Sequence, residues 1–440
     1  MAFGRAGNGI KMRKILEYVF TIMGIVLISC SCNRDIQKRN AQEIDSKQKQ
    51  NKMAFWNVPK KGANMFCSRI LREDIRAAKT YGIEFVRLCV DKFPSKSRDF
   101  LLGNADHYDH LEPVDLDFLL NVLYLFEQEN MPVVLTMLSL PGSRWKQNNN
   151  DKDDLRIWKD AKFQQQAAHF WSDLAAFLSK NKIIVGYNIL NEPHPERLFD
   201  TKNCHIDQIN QTEVQKLLFD FNKLIVENIR RVDANTPIII ESSSYADPNT
   251  FKHLRPIPDS RTIYSFHMYE PYSYTNHKLN KDRLPYPGKF DGKNWNRANL
   301  KDYMKAVENF RQSHNIPSNR ILVGEFGCYR KQKGLPQYFE DLISIFNEHG
   351  WHWAFYAFRE NTWDGMNYEL GDRPLPWAYW KAQERGEEFA LTHKATFPQF
   401  VVLKNALCQA RLRVGFLRDA SKLLSGFKQV SHEIPDWATQ

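Results

Sequence analysis

Short apolar runs rich in β-branched residues alternate with longer stretches of helical periodicity from Lys61 onward. This alternation is typical of a parallel sheet covered by helices on its outer faces. The candidate strands are Lys61–Phe66, Phe85–Val90, Pro132–Leu138, Ile184–Asn191, Thr236–Ser243, Ile263–Tyr269, Ile321–Phe326 and Trp353–Phe358. Eight such strands in one chain predict an α/β fold, a single (β/α)8 TIM barrel over residues 54–391.

Helical periodicity fills most of the segments between these strands. The predicted helices are Leu71–Tyr81, Asp115–Glu129, Ala161–Lys180, Thr212–Val232, Leu300–His314 and Pro336–His349. After the fifth strand only Pro248–Leu254 can be helical, and we expect Trp377–Leu391 to close the barrel. Residues 392–440 form a C-terminal extension of unknown role. Its stretch Val401–Leu424 is basic with apolar positions at helical spacing, so it either packs on the barrel or lies on a membrane surface.

The N-terminus has the pattern of a secretory signal. Basic residues at positions 11, 13 and 14 precede the apolar run Tyr18–Ser29, which is short for a membrane span. Residues 1–32 are therefore a predicted signal peptide and the protein is expected to be exported. The sequence LISC ending at Cys30 resembles a bacterial lipobox, so the alternatives are a lipid-anchored membrane protein and a secreted one. Residues 33–53 are polar and predict a linker.

The net charge of +10 lies almost entirely at the two ends of the chain. Residues 1–61 carry +8, residues 400–440 carry +3, and the remainder carries −1. A neutral barrel does not indicate a nucleic-acid groove, so no nucleic-acid partner is expected. The cysteines beyond Cys32 show no CxxC or Cys/His ligand spacing, and we predict no metal site. We expect a monomer.

Two glutamates close predicted strands, where reactive groups of such barrels lie. Glu192 follows the fourth strand and precedes Pro193, and Glu325 ends the seventh strand in the sequence VGEFG. Cleavage of a glycoside with retention needs one carboxylate to attack carbon and a second carboxyl group to protonate the departing oxygen. We assign Glu192 as general acid/base and Glu325 as nucleophile. The alternative is a pair of structural carboxylates held in salt bridges.

Neighbouring polar residues fit this division of roles. Arg87, in the second strand, would favour the anion of Glu325, whose charge would in turn raise the proton affinity of the acid. Asn191 could hydrogen-bond the sugar 2-hydroxyl group. His267 and Tyr269 lie two positions apart in the sixth strand, point to the same side, and could hold the acid/base and the nucleophile respectively. A role in the core is the alternative for His267.

These residues form motifs that resemble glycoside hydrolase family 5, the cellulase-like family of clan A, over about Lys61 to Glu387. The motifs are KGAN at 61–64, VRL at 86–88, NEP at 191–193, HMY at 267–269 and GEFG at 324–327. The resemblance implies double displacement through a glycosyl-enzyme, with no cofactor. It also implies that Arg87, Asn191, His267 and Tyr269 support the catalytic pair.

Two positions depart from the family pattern. The third strand lacks the usual His, with Leu138 nearest its place, and Tyr356 stands where the eighth strand usually has Trp. The sugar preference of an ordinary cellulase is therefore not expected to transfer unchanged. Trp145, Trp295 and Tyr356 are predicted to bind substrate, and Tyr272 and Trp363 are further candidates. Each loop aromatic either stacks on a sugar or anchors its own loop.

We predict a retaining glycoside hydrolase that cleaves a β-linked glucan or a related polysaccharide in the manner of an endoglucanase. Another β-glycoside specificity is the main alternative: a mannanase, an exo-glucosidase or a glycolipid glycosidase. A non-catalytic carbohydrate-binding barrel and a membrane-tethered interaction protein that uses the basic tail are the alternatives of other classes.

Overall fold

The computed structural model describes residues 51–199, 210–281, 283–385, 387, 389 and 391–408. The predicted signal peptide, Cys30 and most of the linker lie outside the described residues, as does the tail after residue 408. Among the helices in the described part of the chain, none has the length and apolar character that crossing a membrane requires.

Eight parallel strands form a closed barrel, which confirms the predicted TIM fold. In chain order the strands β1 to β8 are Lys61–Met65, Phe85–Cys89, Val133–Thr136, Ile184–Asn188, Ile238–Glu241, Thr262–Met268, Ile321–Phe326 and His352–Phe355. The barrel closes where β8 pairs with β1, with Trp353 opposite Lys61. Several strands end before their predicted limits. Residues 189–191, for example, leave β4 to form the rim of the cleft.

Helices surround the barrel as the periodicity predicts. The longer helices are Arg72–Tyr81, Pro113–Gln128, Ala161–Leu178, Gln211–Val232, Arg297–Tyr303, Lys305–Ser313, Leu335–His349 and Trp377–Glu384. Single helical turns occupy Arg156–Lys159, Tyr272–Thr275 and His277–Asn280, and 3-10 turns occupy Lys52–Asn57, Lys146–Asn149, Pro195–Leu198, Pro248–Lys252, Ser318–Arg320 and Tyr368–Leu370. The predicted helix Leu300–His314 is two helices that meet at Met304.

A 3-10 turn, Lys52–Asn57, closes the end of the barrel opposite the cleft. Trp56 is fully buried there, and its indole nitrogen donates to the Val185 carbonyl at 2.9 Å. Its ring packs edge-on against Phe85 at 5.2 Å and His352 at 4.8 Å. The compact unit that contains the barrel begins at Lys52.

A helix of residues 398–408 extends the barrel past the predicted boundary at residue 391. Phe400 packs edge-on against Tyr81 at 4.9 Å, and Leu403 and Leu407 are fully buried. The Lys61 ammonium group donates to the Ala406 carbonyl at 2.6 Å. Up to residue 408, the extension thus follows the first of its two predicted alternatives and packs on the barrel.

A β-hairpin of Gly288–Phe290 and Lys293–Trp295 lies in the loop after β6. Its turn residues, Asp291 and Gly292, both have positive φ, as a two-residue hairpin turn requires. Trp295 is only 8% exposed and packs within the main hydrophobic core, with its ring 5.7 Å from Tyr303. The prediction that Trp295 binds substrate is therefore corrected: its side chain anchors the hairpin.

Candidate active site

Glu192 and Glu325 meet at the mouth of the barrel. Glu325 lies in β7 and Glu192 follows β4 by four residues, so both extend from the carboxyl ends of parallel strands. One carboxyl oxygen of Glu192 lies within 4.8 Å of one carboxyl oxygen of Glu325. Retaining glycosidases separate their carboxyl groups by about 5 to 5.5 Å, and inverting enzymes by about 6.5 to 9.5 Å. The observed spacing fits retention.

The backbone of Glu192 has an unusual conformation that aims its side chain into the cleft. Its φ is +52°, a left-handed value that costs free energy for a residue other than glycine. The backbone N–H of Glu192 donates to the Glu241 carboxylate at 2.7 Å, and the backbone N–H of the preceding Asn191 donates to the Met137 carbonyl at 2.8 Å. These bonds fix the carboxyl group beside its partner.

Arg87 is fully buried beneath the two glutamates. Its guanidinium group donates to five side-chain oxygens: Glu325 Oε1 at 2.6 Å, Asn191 Oδ1 at 2.6 Å, and Glu241 Oε1, Asn64 Oδ1 and Asn188 Oδ1 at 2.9 Å each. Burial alone would lower the pKa of Arg87, but the nearby carboxylates raise it. The structure thus places a permanent positive charge against Glu325, where the sequence predicts it.

His267 and Tyr269 each contact one glutamate, in the pairing that their spacing predicts. His267 Nδ1 lies 2.9 Å from Glu192 Oε1, and the Tyr269 hydroxyl donates to Glu325 Oε2 at 2.7 Å. A side chain at Gly324 would place its Cβ 3.2 Å from His267 Nε2, so glycine leaves room for the imidazole. Together with the Arg87 bond, the Tyr269 bond stabilises the anionic form of Glu325 on both oxygens.

Glu241, at the end of β5, is a buried glutamate of this cluster that the sequence analysis did not predict. Its carboxylate lies 2.9 Å from Arg87 Nη2 and 3.3 Å from His267 Nε2. Burial would raise the pKa of Glu241, but His267 and Arg87 outweigh burial and lower it to about 2. The rule that singled out Glu192, an acid that closes a barrel strand, could also have found Glu241. Asn64 and Asn188 were likewise not predicted as site residues.

The charges in this cluster affect its carboxyl groups differently. Burial would lower the pKa of His267, but Glu325, Glu241 and the bond with Glu192 raise it to about 10, so the imidazole is protonated at neutral pH. The cluster therefore holds two cations, Arg87 and His267, and three carboxyl groups. One proton makes it neutral. Burial raises the pKa of Glu192, and this effect exceeds the opposing influence of His267. The pKa of Glu192 is thus raised whereas that of Glu241 is lowered, and a raised pKa suits a carboxyl group that acts as an acid.

Within the described residues, one group of side chains is close enough to hold a metal ion: Glu192, His267 and Glu325. A protonated imidazole has no free lone pair for a metal, because both ring nitrogens carry protons. With the pKa of His267 near 10, the group suits proton transfer better than metal binding.

Trp145 lines two recesses, and Glu192 lines the smaller of them. The larger, of about 660 Å³, includes Tyr356, Lys92 and Glu360. The smaller, of about 460 Å³, includes Asn191, Glu192, His194, Tyr245 and Tyr272. Trp145 and Tyr356, which the sequence predicts to bind substrate, thus lie where the recesses open beside the barrel mouth. The further candidates Tyr272 and Trp363 also border these recesses.

Leu138, in place of the usual histidine, sits in a small apolar cluster on the floor of this region. It is buried with Phe66 and Cys89, and the partly buried rings of Trp145 and Tyr356 pack against them. A hydrogen-bonding group is thus replaced by apolar surface.

A parallel (β/α)8 barrel that brings two strand-end glutamates together at this distance fits the two-carboxylate chemistry of a glycoside hydrolase. Residues 44–362 match the family described as Cellulase (glycosyl hydrolase family 5). The chain belongs to glycosyl hydrolase family 5, which confirms the resemblance seen in its motifs.

Curated relatives and solved structures agree with this assignment. Endoglucanase C of Acetivibrio thermocellus is 22% identical over 334 residues, which cover 69% of this chain and 87% of the relative. Endoglucanase Cel5A from Thermotoga maritima has a similar fold, with a TM-score of 0.53 at 16% identity over 72% of this chain and 93% of that one. A hyperthermophilic endo-β-1,4-glucanase in complex with substrate gives 0.54 at 19% identity, over 74% and 95%.

Proposed function

We propose that the protein hydrolyses internal bonds of a β-linked glucan or a closely related polysaccharide, with retention of the anomeric configuration. The spacing of at most 4.8 Å between the Glu192 and Glu325 carboxyl oxygens carries this proposal. The relatives that are named endoglucanases support the choice of a glucan.

The first half of the reaction forms a glycosyl-enzyme. The Glu325 carboxylate attacks the anomeric carbon of the sugar while Glu192 gives its proton to the departing glycosidic oxygen. Loss of that proton leaves Glu192 anionic beside the positively charged His267, 2.9 Å away, so the product state of the acid is stabilised.

The second half releases the sugar. Glu192, now a base, takes a proton from water, the resulting hydroxide attacks the anomeric carbon, and Glu325 departs as a carboxylate held by Arg87 and Tyr269. The Asn191 side-chain oxygen already accepts a hydrogen bond from Arg87. The Asn191 side-chain NH2 group is therefore the one that would donate to the sugar 2-hydroxyl group.

Substrate preference is tested by a panel of β-1,4-glucan, β-1,3-glucan, mannan, xylan and aryl glycosides. Internal cleavage lowers the viscosity of a polymer faster than it releases reducing ends. Mannan or a glycolipid as the best substrate, or release of single sugars from chain ends, would support the alternative specificities. Binding of a glycan without turnover of any substrate would support a carbohydrate-binding barrel instead.

The nucleophile is tested by chemical rescue. Glu325→Gly should abolish hydrolysis, and azide or formate should partly restore it, because a small anion can enter the space left by the carboxylate. Glu192→Ala should retain turnover of substrates whose leaving groups need no protonation. Unchanged turnover by Glu325→Gly would reject the assignment.

We further propose that the protein is exported, either lipid-anchored through Cys30 or secreted, and that it acts as a monomer. Labelling of cells with a radioactive fatty acid should mark the wild type and not Cys30→Ser if the anchor exists.

The competing idea is a membrane-tethered interaction protein that uses its basic C-terminal tail as the interaction surface. Truncation after residue 408 tests it without removing the helix that packs on the barrel. Loss of function on truncation, with Glu192→Ala unaffected, would favour that idea.

A further inference from the structure

The loop after β3, residues 137–155, carries Trp145, whose side chain is shared by the two recesses. The Trp145 ring packs edge-on against Phe66, with centroids 5.0 Å apart. The residues that follow, Lys146–Asn149, form a 3-10 turn without a buried side chain, so they give the ring little support. The position of Trp145 therefore depends mainly on the residues that precede it.

Arg144, directly before Trp145, joins this loop to the loop after β2, residues 90–112. Its guanidinium group makes a two-pronged bond to the Asp99 carboxylate, with Nε 2.8 Å from Oδ1 and Nη2 2.9 Å from Oδ2. Nη2 also donates to Asn104 Oδ1 at 3.0 Å, and Nη1 donates to Asp106 Oδ1 at 3.2 Å. A planar guanidinium group bound in this way fixes orientation as well as distance, which a lysine cannot do.

Backbone hydrogen bonds join the same two loops beside this ion pair. Asp99 Oδ2 also accepts from the Ala105 backbone N–H at 2.7 Å, and the Ala105 carbonyl accepts from the Gly142 backbone N–H at 2.8 Å. Gly142 has a φ of +75°, and a Cβ there would lie 2.5 Å from a neighbouring side chain, so this turn requires glycine. The Trp145 backbone N–H donates to Ser139 Oγ at 2.9 Å. The loop is thus held both before Trp145 and at Trp145 itself.

Burial of the ion pair indicates a role in geometry. Asp99 is 1% exposed and Arg144 is 5% exposed. Loss of one partner leaves a buried charge unpaired and destabilises the fold, whereas loss of both partners together is often nearly neutral. Such a pair therefore contributes little net stability, but it restricts the arrangement of the groups that it joins.

We propose that Arg144 is a positioning residue that holds Trp145, through Asp99, as the common wall of both recesses. This inference rests on the proposed function. A glycan bound in either recess would then contact a ring that is already in place, and a ring held in advance loses little conformational entropy on binding. Arg144 acts through Trp145 and takes no part in bond cleavage, so its loss should weaken substrate binding and leave the chemical step unchanged.

Steady-state kinetics with an oligosaccharide test this proposal. Arg144→Met should raise KM by about 3- to 10-fold, the effect of one aromatic contact, with kcat nearly unchanged. Arg144→Lys keeps the charge without the planar fork and should recover only part of this loss. Trp145→Ala should raise KM at least as much. The double variant of Arg144→Met and Trp145→Ala should be no worse than Trp145→Ala alone, and additive losses would overturn the proposal.

A second double variant separates positioning from stability. Combining Arg144→Met with Asp99→Asn leaves no charge unpaired, so the midpoint of urea unfolding should return towards that of the wild type. KM should remain raised, because the fork that orients the loop is still absent. Recovery of KM together with stability would show a purely structural role and overturn the proposal. If Arg144→Met alone does not fold, this double variant is compared directly with the wild type.

Arg230→Met is the matched control. Arg230 makes the same two-pronged bond to Asp259, at 2.7 and 3.1 Å, just before β6 and therefore at the end of the barrel away from the catalytic pair. This variant should lower stability and leave KM unchanged. An equal rise in KM for Arg230→Met, or no rise for folded Arg144→Met, would overturn the positioning role. A wild type that cleaves no glycan would overturn the proposed function, and this inference with it.

Discussion

Replacing His267 by glutamine removes a buried positive charge from among three carboxyl groups. The imidazole nitrogens lie 2.9 Å from Glu192, 3.3 Å from Glu241 and 3.7 Å from Glu325. Glutamine is neutral and still polar, so the substitution tests the charge rather than the volume. Because the His267 charge lowers the pKa of Glu192, its loss should make Glu192 hold its proton to higher pH.

The size of this change follows from the distance. Opposite unit charges about 4 Å apart interact by about 4 kcal/mol at an effective dielectric constant of about 20. One pKa unit corresponds to about 1.4 kcal/mol, so the upper limit of the shift is about three units. Rearrangement of the neighbouring side chains reduces the shift, and we expect the Glu192 pKa to rise by about one to three units.

The assay is the pH dependence of kcat/KM, whose alkaline limb reports loss of the essential proton from the free enzyme. The alkaline limb of His267→Gln should lie about one to three pH units above that of the wild type. His169→Gln is the matched control, because His169 is a surface histidine on the helix Ala161–Leu178. An alkaline limb that stays in place, or moves to lower pH, would refute the assignment of His267 as the cation that controls the acid.

Other variants test the remaining contacts. Tyr269→Phe removes a hydrogen bond to a charged group, worth about 1.5 to 3 kcal/mol, so steady-state kinetics should show kcat lower by about 10- to 100-fold with a smaller change in KM. Glu241→Gln should lower the free energy of unfolding by about 3 to 5 kcal/mol in urea titrations, because two buried cations lose a partner. The folded-state pKa of Glu241 is below its unfolded value, so this loss should be full above about pH 4.5 and fade as the pH falls towards 2. Lys92→Met leaves the buried Glu360 carboxyl group unpaired, and its destabilisation should be smaller at pH 5 than at pH 8, because burial raises the pKa of Glu360 and protonation relieves the unpaired charge. Equal destabilisation at both pH values would contradict that reading.

Local patterns were sufficient to predict the barrel and to place Glu192 and Glu325 at one cleft. Alternation of short strands with amphipathic helices determines a TIM barrel, and the barrel determines that strand-end residues share one cleft. Hence Arg87, Glu192, His267, Tyr269 and Glu325 could be brought together from sequence alone. Their placement at one cleft follows from strand order, and the shared side of His267 and Tyr269 follows from the two-residue repeat of a strand.

Features that depend on tertiary packing could not be predicted in this way. Trp145 and Trp295 both follow barrel strands in long loops, yet one borders the cleft and the other is buried in a hairpin. The helix 398–408 shows suitable periodicity, but its partners Lys61 and Tyr81 lie more than 300 residues earlier in the chain. In contrast, the Asp291–Gly292 hairpin turn had a local signal that was available in the sequence.

The configuration of the first product tests the central claim most directly. Proton NMR of a β-glucan digest, recorded within the first minutes, distinguishes the α from the β anomer before mutarotation mixes them. One oxygen of Glu192 lies within 4.8 Å of one oxygen of Glu325, which fits direct attack by Glu325 and predicts that the β anomer appears first. Initial release of the α anomer would show that water attacks the sugar directly, and would contradict the account.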